Sequence, residues 1–321
     1  MKTAIVTGAH GYIGSVLSKI LSENKYYVIG IDDVPKGIKD TRRVSYCNQF
    51  YPYKFEFPVA LEIIENYPEA TIFHLAANSL LGPSAYDPLS YFENNTAATL
   101  KLLKNISHKN KIIFASTAAV YDVTDKAVKE TDKISPPNNY GKSKLWCEEM
   151  MKSSYEILNL KIMAFRFFNV IGAYQDVGQE LGTPHIISQL SDSAYNGKSF
   201  YINGNDYPTR DGTCVRDYLH VIDVCRALIH ADLYLDNINR PFFEVYNLGT
   251  NQGTSVKEIV ETFKRVVYNI EVKNRERRIG DPPFLVANPQ KYIEETGFKY
   301  EFTEKDLDKM IETTWRYYNG I

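Results

Sequence analysis

Long apolar runs are missing from this 321-residue sequence, and no window approaches the ~20 apolar residues that a membrane-spanning helix needs. A bilayer-embedded protein is therefore not expected, nor is a membrane partner. Cysteine is scarce. The four present, Cys47, Cys147, Cys214 and Cys225, form no C-x-x-C pair and have no histidines at metal-ligand spacing around them. This argues against a disulfide framework and against any metal site, and it suits a reducing cytoplasm. Neither sign of charge dominates: 37 Lys and Arg against 39 Asp and Glu leave a formal net charge of -2. With no global positive field, nucleic acid is not an expected partner. Internal repeats and low-complexity tracts are absent too. The opening MKTAIVTGAHGYIG has one lysine and a short apolar run before its glycines, so it reads as a first β-strand and not as a signal peptide.

What is present is an ordinary globular composition, 44% hydrophobic and 24% charged, with an aromatic load of 24 tyrosines and 16 phenylalanines. Aromatic cores explain that load more simply than carbohydrate stacking does. In the first half, short β-branched runs alternate with amphipathic helical stretches, the pattern of a parallel sheet built from βαβ units. Strands are expected at Thr3–Thr7, Tyr27–Ile31, Ala70–Leu75, Lys111–Ser116 and Leu160–Phe167. Helices are expected at Tyr12–Asn24, Val59–Asn66, Asn95–Asn105 and Tyr140–Leu158. Asp40–Pro58 reads as irregular. After Asn169 glycine and proline become frequent, strands shorten, helix Ser255–Tyr268 stands between loops, and a polar helix Glu304–Tyr317 follows. Val221–Leu235 is expected to return and pack on the sheet. The fold class expected is α/β: a Rossmann-type doubly wound parallel sheet, residues 1–170 rejoined by about 215–248, with a smaller interleaved α/β lobe over residues 171–321.

Gly8, Gly11 and Gly14 follow the first strand directly and open the first helix. Glycines there let the backbone turn tightly, approach a pyrophosphate and pack helix against strand, while the helix N-terminus offers N–H groups and a positive dipole end. A glycine triplet alone is weak evidence. This one has the strand before it, the helix after it, and Asp32 at the end of the second strand, where a carboxylate accepts ribose hydroxyls. Asp32 and Asp33 would repel a 2′-phosphate and no arginine follows directly, so the cofactor expected is NAD and not NADP.

Tyr140-Gly-Lys-Ser-Lys144 places a phenol and an ammonium four residues apart, on one helical face. Free tyrosine titrates near ~10 and is a poor base at neutral pH, whereas an adjacent cation favours its phenolate. Y-x-x-x-K alone is common in helices, but here it lies downstream of the glycine loop and of Ser116-Thr117. With glycines spaced G-x-x-G-x-x-G, the chain resembles the extended short-chain dehydrogenase/reductases, the NAD-dependent epimerase/dehydratase family. The second half narrows the resemblance to the UDP-glucose 4-epimerase branch. It is carried by His74-Leu-Ala-Ala77, Tyr91-Phe-Glu-Asn-Asn95, Arg166-Phe-Phe-Asn169, the stretch Gly204 to Val221, Tyr246-Asn-Leu-Gly-Thr250 and Arg277-Arg-Ile-Gly-Asp-Pro282, in the family's order.

The resemblance implies the following roles. Tyr140 is the general base and acid at the sugar 4-hydroxyl, Lys144 lowers its pKa and holds the nicotinamide ribose, and Thr117 assists proton transfer. Gly8, Gly11, Tyr12, Ile13, Gly14, Asp32, Asp33, Leu75, Ala76, Ala77, Ser79, Asn94 and Phe167 contact NAD, together with Tyr140 and Lys144. Asn169 holds a sugar-diphosphate oxygen. Arg216 and Arg278 clamp the pyrophosphate, a task suited to a planar guanidinium, and Asp281 bonds the uridine ribose. His185 is a further nucleotide contact. The activity implied is epimerisation at C4 of a nucleotide-diphosphate sugar, UDP-glucose/UDP-galactose, through a transient 4-keto sugar. Similar proteins pair through helices near Asn95–Asn105 and Tyr140–Leu158, so a homodimer is implied.

Several positions depart from the family pattern. No Asp-Leu or Asp-Ile pair follows the third strand to hold adenine. Asn203 stands where an aromatic commonly stacks on uracil, with Tyr201 the neighbouring aromatic, so the nucleobase is left open. Arg210 replaces a proline or acid and Asp122 a glycine. Leu285 lies near the position that limits the sugar's 2-substituent and leaves N-acetylated sugars possible. Read without the resemblance, Arg216 and Arg278 would be ion pairs with Asp217 and Asp281, His74 a packed loop residue, and Cys214 a small buried side chain. Related nucleotide-sugar chemistry (another epimerase, a reductase or a decarboxylase) stays open. Elimination does not, because Ala118 and Ala119 occupy the places where the family's dehydratases carry Asp-Glu. A non-catalytic NAD(H)-sensing Rossmann protein is the remaining alternative, disfavoured by the retention of Thr117, Tyr140 and Lys144.

Overall fold

The computed structural model describes residues 1–34, 42–278 and 280–320. The first part of the irregular stretch expected from Asp40 falls outside them. Along the chain the elements are β1 (Thr3–Thr7), α1 (Tyr12–Glu23), β2 (Tyr27–Ile31), β3 (Gln49–Tyr51), α2 (Pro58–Glu65), β4 (Thr71–His74), α3 (Leu81–Tyr86) and α4 (Pro88–Tyr91). A π-helical segment, Phe92–Ala97, leads into α5 (Ala98–Asn105), then β5 (Lys111–Thr117), α6 (Asn139–Ser154), β6 (Lys161–Phe167), β7 (Asn169–Ile171), β8 (Ala173–Tyr174) and β9 (Val177–Gly178). Next come α7 (Ile186–Asn196), β10 (Phe200–Asn203), β11 (Val215–His220), α8 (Val221–Asp236), β12 (Phe242–Leu248) and β13 (Gly253–Ser255). The last are α9 (Val256–Val266), β14 (Val272–Arg275), β15 (Phe284–Leu285), α10 (Gln290–Thr296) and α11 (Leu307–Asn319).

Two compact units interleave along the chain. The first comprises Met1–Asp122, Lys133–Arg166 and Cys225–Tyr246; the second comprises Val123–Asp132, Phe167–Val224 and Asn247 onward. The returning segment thus begins at Cys225, within α8, and not at 215. The reason is that Val215–His220 forms strand β11 of the second unit's own sheet.

In the first unit, seven strands lie in the order β12-β6-β5-β4-β1-β2-β3. The pairings of β3 with β2, β2 with β1, β1 with β4 and β4 with β5 are parallel. Both faces of such a sheet are covered, which is why its strands read as near-continuous apolar runs. In β1, β2, β4 and β5 all but the first residue of each is buried, and in β4 and β5 that residue is too. Ile5, Ile29, Ile72 and Leu102 pack on one side, and Ile112, Phe114, Met151 and Ile162 form a second cluster. Each such side chain contributes ~1.5–3 kcal/mol on burial. β3 was not expected, since three residues carry no periodicity and pair along one edge only. The expected helix 140–158 ends at Ser154 in a turn where Asn159 takes φ 52°.

The second unit has a four-stranded sheet in which β11 pairs with β7, β13 and β15, and a separate parallel pair of β10 with β14. Ile187, Leu190, Tyr218, Ile259, Phe263, Met310 and Ile311 form its core. α9 starts on a reciprocal capping box between Ser255 and Glu258. α7 was missed by the sequence reading, although Ile186, Ile187, Leu190 and Ala194 do share a helical face.

At the N-terminal edge of the large sheet, Asp232 of α8 is fully buried. It accepts from Tyr26 Oη at 2.7 Å, Thr71 Oγ1 at 2.5 Å and Lys2 Nζ at 3.0 Å, and it pairs with Lys111. Burial pushes its carboxyl up, but the Lys111 charge and these hydrogen bonds outweigh that, and the group sits below the ordinary carboxylate range. Its stabilisation is thus present above the unfolded value of 3.8 and is lost as pH falls through the lower, folded value. Asp232→Asn, which leaves Lys111 only the part-exposed Asp236 as a charged partner, is expected to cost about 1–3 kcal/mol at pH 7 in urea unfolding. The deficit should shrink in strongly acidic buffer. An unchanged urea midpoint at pH 7 would refute this account.

Candidate active site

The glycine loop lies where β1 is flanked by β2 on one side and β4 on the other, the switch point of a doubly wound sheet. Gly8 leaves β1 with φ +77°, and its N–H bonds the Ile31 carbonyl at 2.9 Å. A Cβ on Gly14 would stand 1.9 Å from the Gly8 carbonyl oxygen, and one on Gly8 2.9 Å from the Ala76 nitrogen. Only glycine allows α1 to start this close to the strand it follows. Gly11 is the N-cap of α1 and supplies no side-chain cap, and the first turn carries no acid. A helix start without a side-chain cap or an acid in its first turn presents a positive dipole end suited to an anion.

Asp32 directly follows β2 and accepts the His10 N–H at 2.8 Å. Burial raises its carboxyl against that bond and others from the Asp33 and Gly11 amides. Asp33 is exposed. An arginine does reach the loop in space: buried Arg43 donates to the His10 carbonyl at 3.1 Å. Nothing in its spacing from Asp32 announced this. Beyond β4, Leu75 and Ala76 hang on Thr7 through its carbonyl at 3.1 Å and its hydroxyl at 3.3 Å. His74 is not a loop residue: it ends β4, fully buried, between Thr7 Oγ1 at 2.7 Å and Thr99 Oγ1 at 2.9 Å. Burial lowers it to about 3, so it is neutral and structural.

An open cleft of about 450 Å³ is lined by Ala77, Asn78, Ser79, Leu80, Asp87, Ser90 and Tyr91, among others. Asn94 lies on the π-helical segment beside it, a local rewinding of the kind often found at functional sites. The sequence reading missed Asn95, which is buried. Its side chain accepts from the Asn78 N–H at 2.8 Å and donates to the Asn78 carbonyl at 3.0 Å and to Ser143 Oγ at 2.9 Å. One amide thus fixes the cleft loop to α6.

α6 begins with Asn138 as N-cap, accepting the Gly141 N–H at 2.8 Å. A Cβ on Gly141 would lie 2.2 Å from the Ala119 carbonyl oxygen, so glycine at this place lets the helix start press against the end of β5. That brings Tyr140 beside Thr117, the last residue of β5, near enough for the Thr117 hydroxyl to act on its phenol. The Tyr140 ring meets Tyr91 edge-on, with centroids 6.4 Å apart. Burial pushes the Tyr140 phenol up to about 12, and the Thr117 hydroxyl opposes this. The Lys144 ammonium lies 4.0 Å from the centre of the Phe114 ring, and burial lowers it to about 8.

In the second unit, Arg216 on β11 reaches Asp281 at 4.0 Å and is the register partner of Leu285 on β15. Asp217 is no arginine partner. It is buried and accepts the amides of Thr250, Asn251 and Ala287 at 2.8, 2.9 and 3.1 Å. Asn169 is paired in register with Tyr218, a buried tyrosine the sequence reading passed over. Tyr201 and Asn203 alternate along β10 onto one face, where Arg275 holds both, 5.7 Å from the Tyr201 ring and 2.6 Å from Asn203 Oδ1. Arg278 is exposed and joins the Asp281 turn only through its carbonyl. Neighbouring Arg277 pairs with Asp206 at 2.7 Å. His185 is the exposed N-cap of α7. Phe167 ends β6. Arg210 pairs with Glu258, which explains a cation at that departure from the family pattern. Among the described residues no group of His, Cys, Asp and Glu could hold a metal ion.

The sequence profile of the family described as GDP-mannose 4,6 dehydratase matches residues 5–313. The chain is 37% identical to the UDP-glucose 4-epimerase of Lacticaseibacillus casei over 99% of its own length and 97% of that protein. The crystal structure of UDP-glucose-4-epimerase from Stenotrophomonas maltophila, with bound NAD and formylated UDP-arabinopyranose, superimposes with a TM-score of 0.90 at 28% identity. That match covers 99% of this chain and 98% of the other. UDP-glucose 4-epimerase from Brucella ovis in complex with NAD gives a TM-score of 0.90 at 31% identity, over 99% and 98% of the two chains.

The buried Lys144 makes a stability prediction. Its charged form is disfavoured in the fold, so the penalty is complete below pH 8. The penalty fades as pH rises toward 10.5, where the unfolded chain still holds the proton that the fold has released. Lys144→Met keeps the stem and drops the charge. It should therefore stabilise the chain by roughly 2–3 kcal/mol at pH 7, with most of that gain gone by pH 10. Paired urea titrations at the two pH values decide it: equal gains at both would contradict the assignment.

Proposed function

The chain belongs to the UDP-glucose 4-epimerase-like branch of the extended short-chain dehydrogenase/reductases, and on that premise we propose that it epimerises a UDP-sugar at C4, interconverting UDP-galactose and UDP-glucose with NAD as its cofactor. The observation that carries this reading is the seating of the Tyr140 end of α6, through Gly141, against Ala119 just beyond Thr117, on the same unit as the uncapped start of α1 and Asp32. The loop fits a dinucleotide: Cβ atoms added at Gly8 and Gly14 would collide with backbone, and α1 starts with no side-chain cap and no acid in its first turn.

In this reading Gly11, Tyr12 and Ile13 hold the pyrophosphate, Asp32 the adenosine ribose, and Lys144 the nicotinamide ribose. Bound NAD supplies the two-electron acceptor at C4, together with a positive ring charge that favours the Tyr140 phenolate. Tyr140 removes the proton of the 4-hydroxyl and later returns it, with Thr117 sharing the hydrogen bond through both steps. On the second unit, Arg216 and Arg278 grip the diphosphate, Asp281 the ribose and Asn169 a diphosphate oxygen. Tyr201 and Asn203, with Arg275, form the platform for the base. A firm hold on the diphosphate and a loose one on the sugar let either face of the 4-keto sugar be reduced. Ala118 and Ala119, directly after Thr117, carry no acid or base, which disfavours the 4,6-dehydration for which the family profile is named.

We place the chain in the cytoplasm, since its four thiols are unpaired. We also infer a homodimer through α5 and α6, whose outer faces expose Leu100 and Trp146, the latter stacked on Phe92 at 4.7 Å. Light scattering reads this directly, and a monomer at micromolar concentration would remove it.

Incubating the purified protein with UDP-galactose, without and with added NAD, should yield UDP-glucose. Tyr140→Phe should lower kcat at least ~100-fold, and Arg216→Ala should act mainly on KM, by roughly tenfold. If the wild type converts nothing with NAD present, the UDP-galactose assignment is wrong, and Asn203 and Leu285 direct the next trials to N-acetylated and non-uridine nucleotide sugars.

A further inference from the structure

Glu148 lies four residues beyond Lys144 on α6, as Lys144 lies four beyond Tyr140, so the three share one helical face. It is a charged residue in the interior, 3% exposed, and so is Arg166 on β6. The two are joined bidentately, Nε to Oε1 at 3.1 Å and Nη2 to Oε2 at 2.7 Å. Arg166 Nη1 also donates to Tyr121 Oη at 2.9 Å, and its guanidinium stacks 4.9 Å from the Tyr121 ring. Glu148 Oε1 accepts in addition from Ser116 Oγ.

These links all converge on Thr117. Ser116 precedes it in β5, and Tyr121 follows the short turn Ala118–Val120 that Thr117 caps. Replacing a buried ion pair by apolar residues is often neutral or stabilising, so stability alone is a weak reason to keep one. A bidentate pair does supply a fixed geometry. Reacting groups need that, since a misplacement of ~1 Å can cost ~100-fold in rate.

Resting on the epimerase reading, we propose that Glu148 is a positioning residue of the reaction: its carboxylate, held by Arg166 and Ser116, fixes the Tyr140–Lys144 face of α6 against the Thr117 end of β5. The same charge acts on Lys144 directly. The groups facing that ammonium are Cys147 and Glu148 from α6, His74 from β4 and the Phe114 ring from β5. Glu148 supports the charged form against burial, while burial keeps the Cys147 thiol and His74 neutral.

The test is Glu148→Gln, read in two ways. In protein with 13C-labelled lysine ε-carbons, the Lys144 signal, identified by its loss in Lys144→Met, should titrate about one pH unit lower than in the wild type. Per molecule of bound cofactor, kcat should fall about tenfold while KM for the sugar nucleotide changes less than twofold. If Glu148→Gln does not fold, Ser116→Ala, which cuts only the link to β5, should lower kcat severalfold with KM unchanged. An unaltered kcat per cofactor-loaded molecule in whichever variant folds would overturn the proposal. So would an unaltered Lys144 midpoint in folded Glu148→Gln. A wild type inert on every sugar nucleotide would instead sink the epimerase reading, and the lysine titration would still decide whether Glu148 governs Lys144.

Discussion

The approach of Gly14 to the Gly8 carbonyl is the constraint from which the rest of the first unit follows. No side chain fits between them, so α1 can begin at the very end of β1 with its amides directed outward from the sheet. The helix starts on Gly11 without a side-chain cap. Thr7, next in line, holds both His74 and the backbone after β4, which sets the floor of the cleft that Ser79 and Tyr91 border. A second close approach, Gly141 against Ala119, does for the catalytic helix what Gly14 does for the first one. In both places the smallest residue buys proximity of helix to strand, and proximity places the chemistry.

Around Tyr140 the interior is costly in a way that a purely structural core would not be. A lysine, a glutamate and an arginine are all withdrawn from water within two turns of α6 and the strands beneath it. Burial acts on the phenol and the ammonium in opposite directions, raising one and lowering the other toward neutral forms. Groups whose charge is this finely opposed respond to any added charge nearby, and such responsiveness is what a proton carrier needs. The Asp232 cluster at the far edge of the same sheet shows the contrast. There every charge is matched and hydrogen-bonded, and the result is a clamp.

The second unit solves a different problem. Its β11 carries in succession Arg216, aimed toward Asp281, then Asp217, buried under three amides, then Tyr218, packed in the core. Alternation along one strand thus separates the arginine that reaches Asp281 from the aspartate that knits the sheet to the turn after β12 and to the residues following β15.

The sequence by itself determined the parallel sheet, the glycine loop and the Tyr-Lys helix. Each rests on local rules: apolar runs for strands buried on both faces, backbone approach that only glycine permits, and four-residue spacing on a helix. It did not disclose that β11 belongs to the second unit, that Asp217 serves amides and not an arginine, or that His74 bridges two threonines. Arg43 at the loop, Asn95 under the cleft and the Glu148–Arg166–Ser116 bridge were equally hidden, although every one of those residues is plain in the chain. Only the tertiary structure decided them, because each is a partnership between residues far apart in sequence. Whether a charge is paired, a phenol shifted or an amide satisfied depends on which neighbour the fold brings within about 3 Å, and no spacing along one strand or helix encodes that.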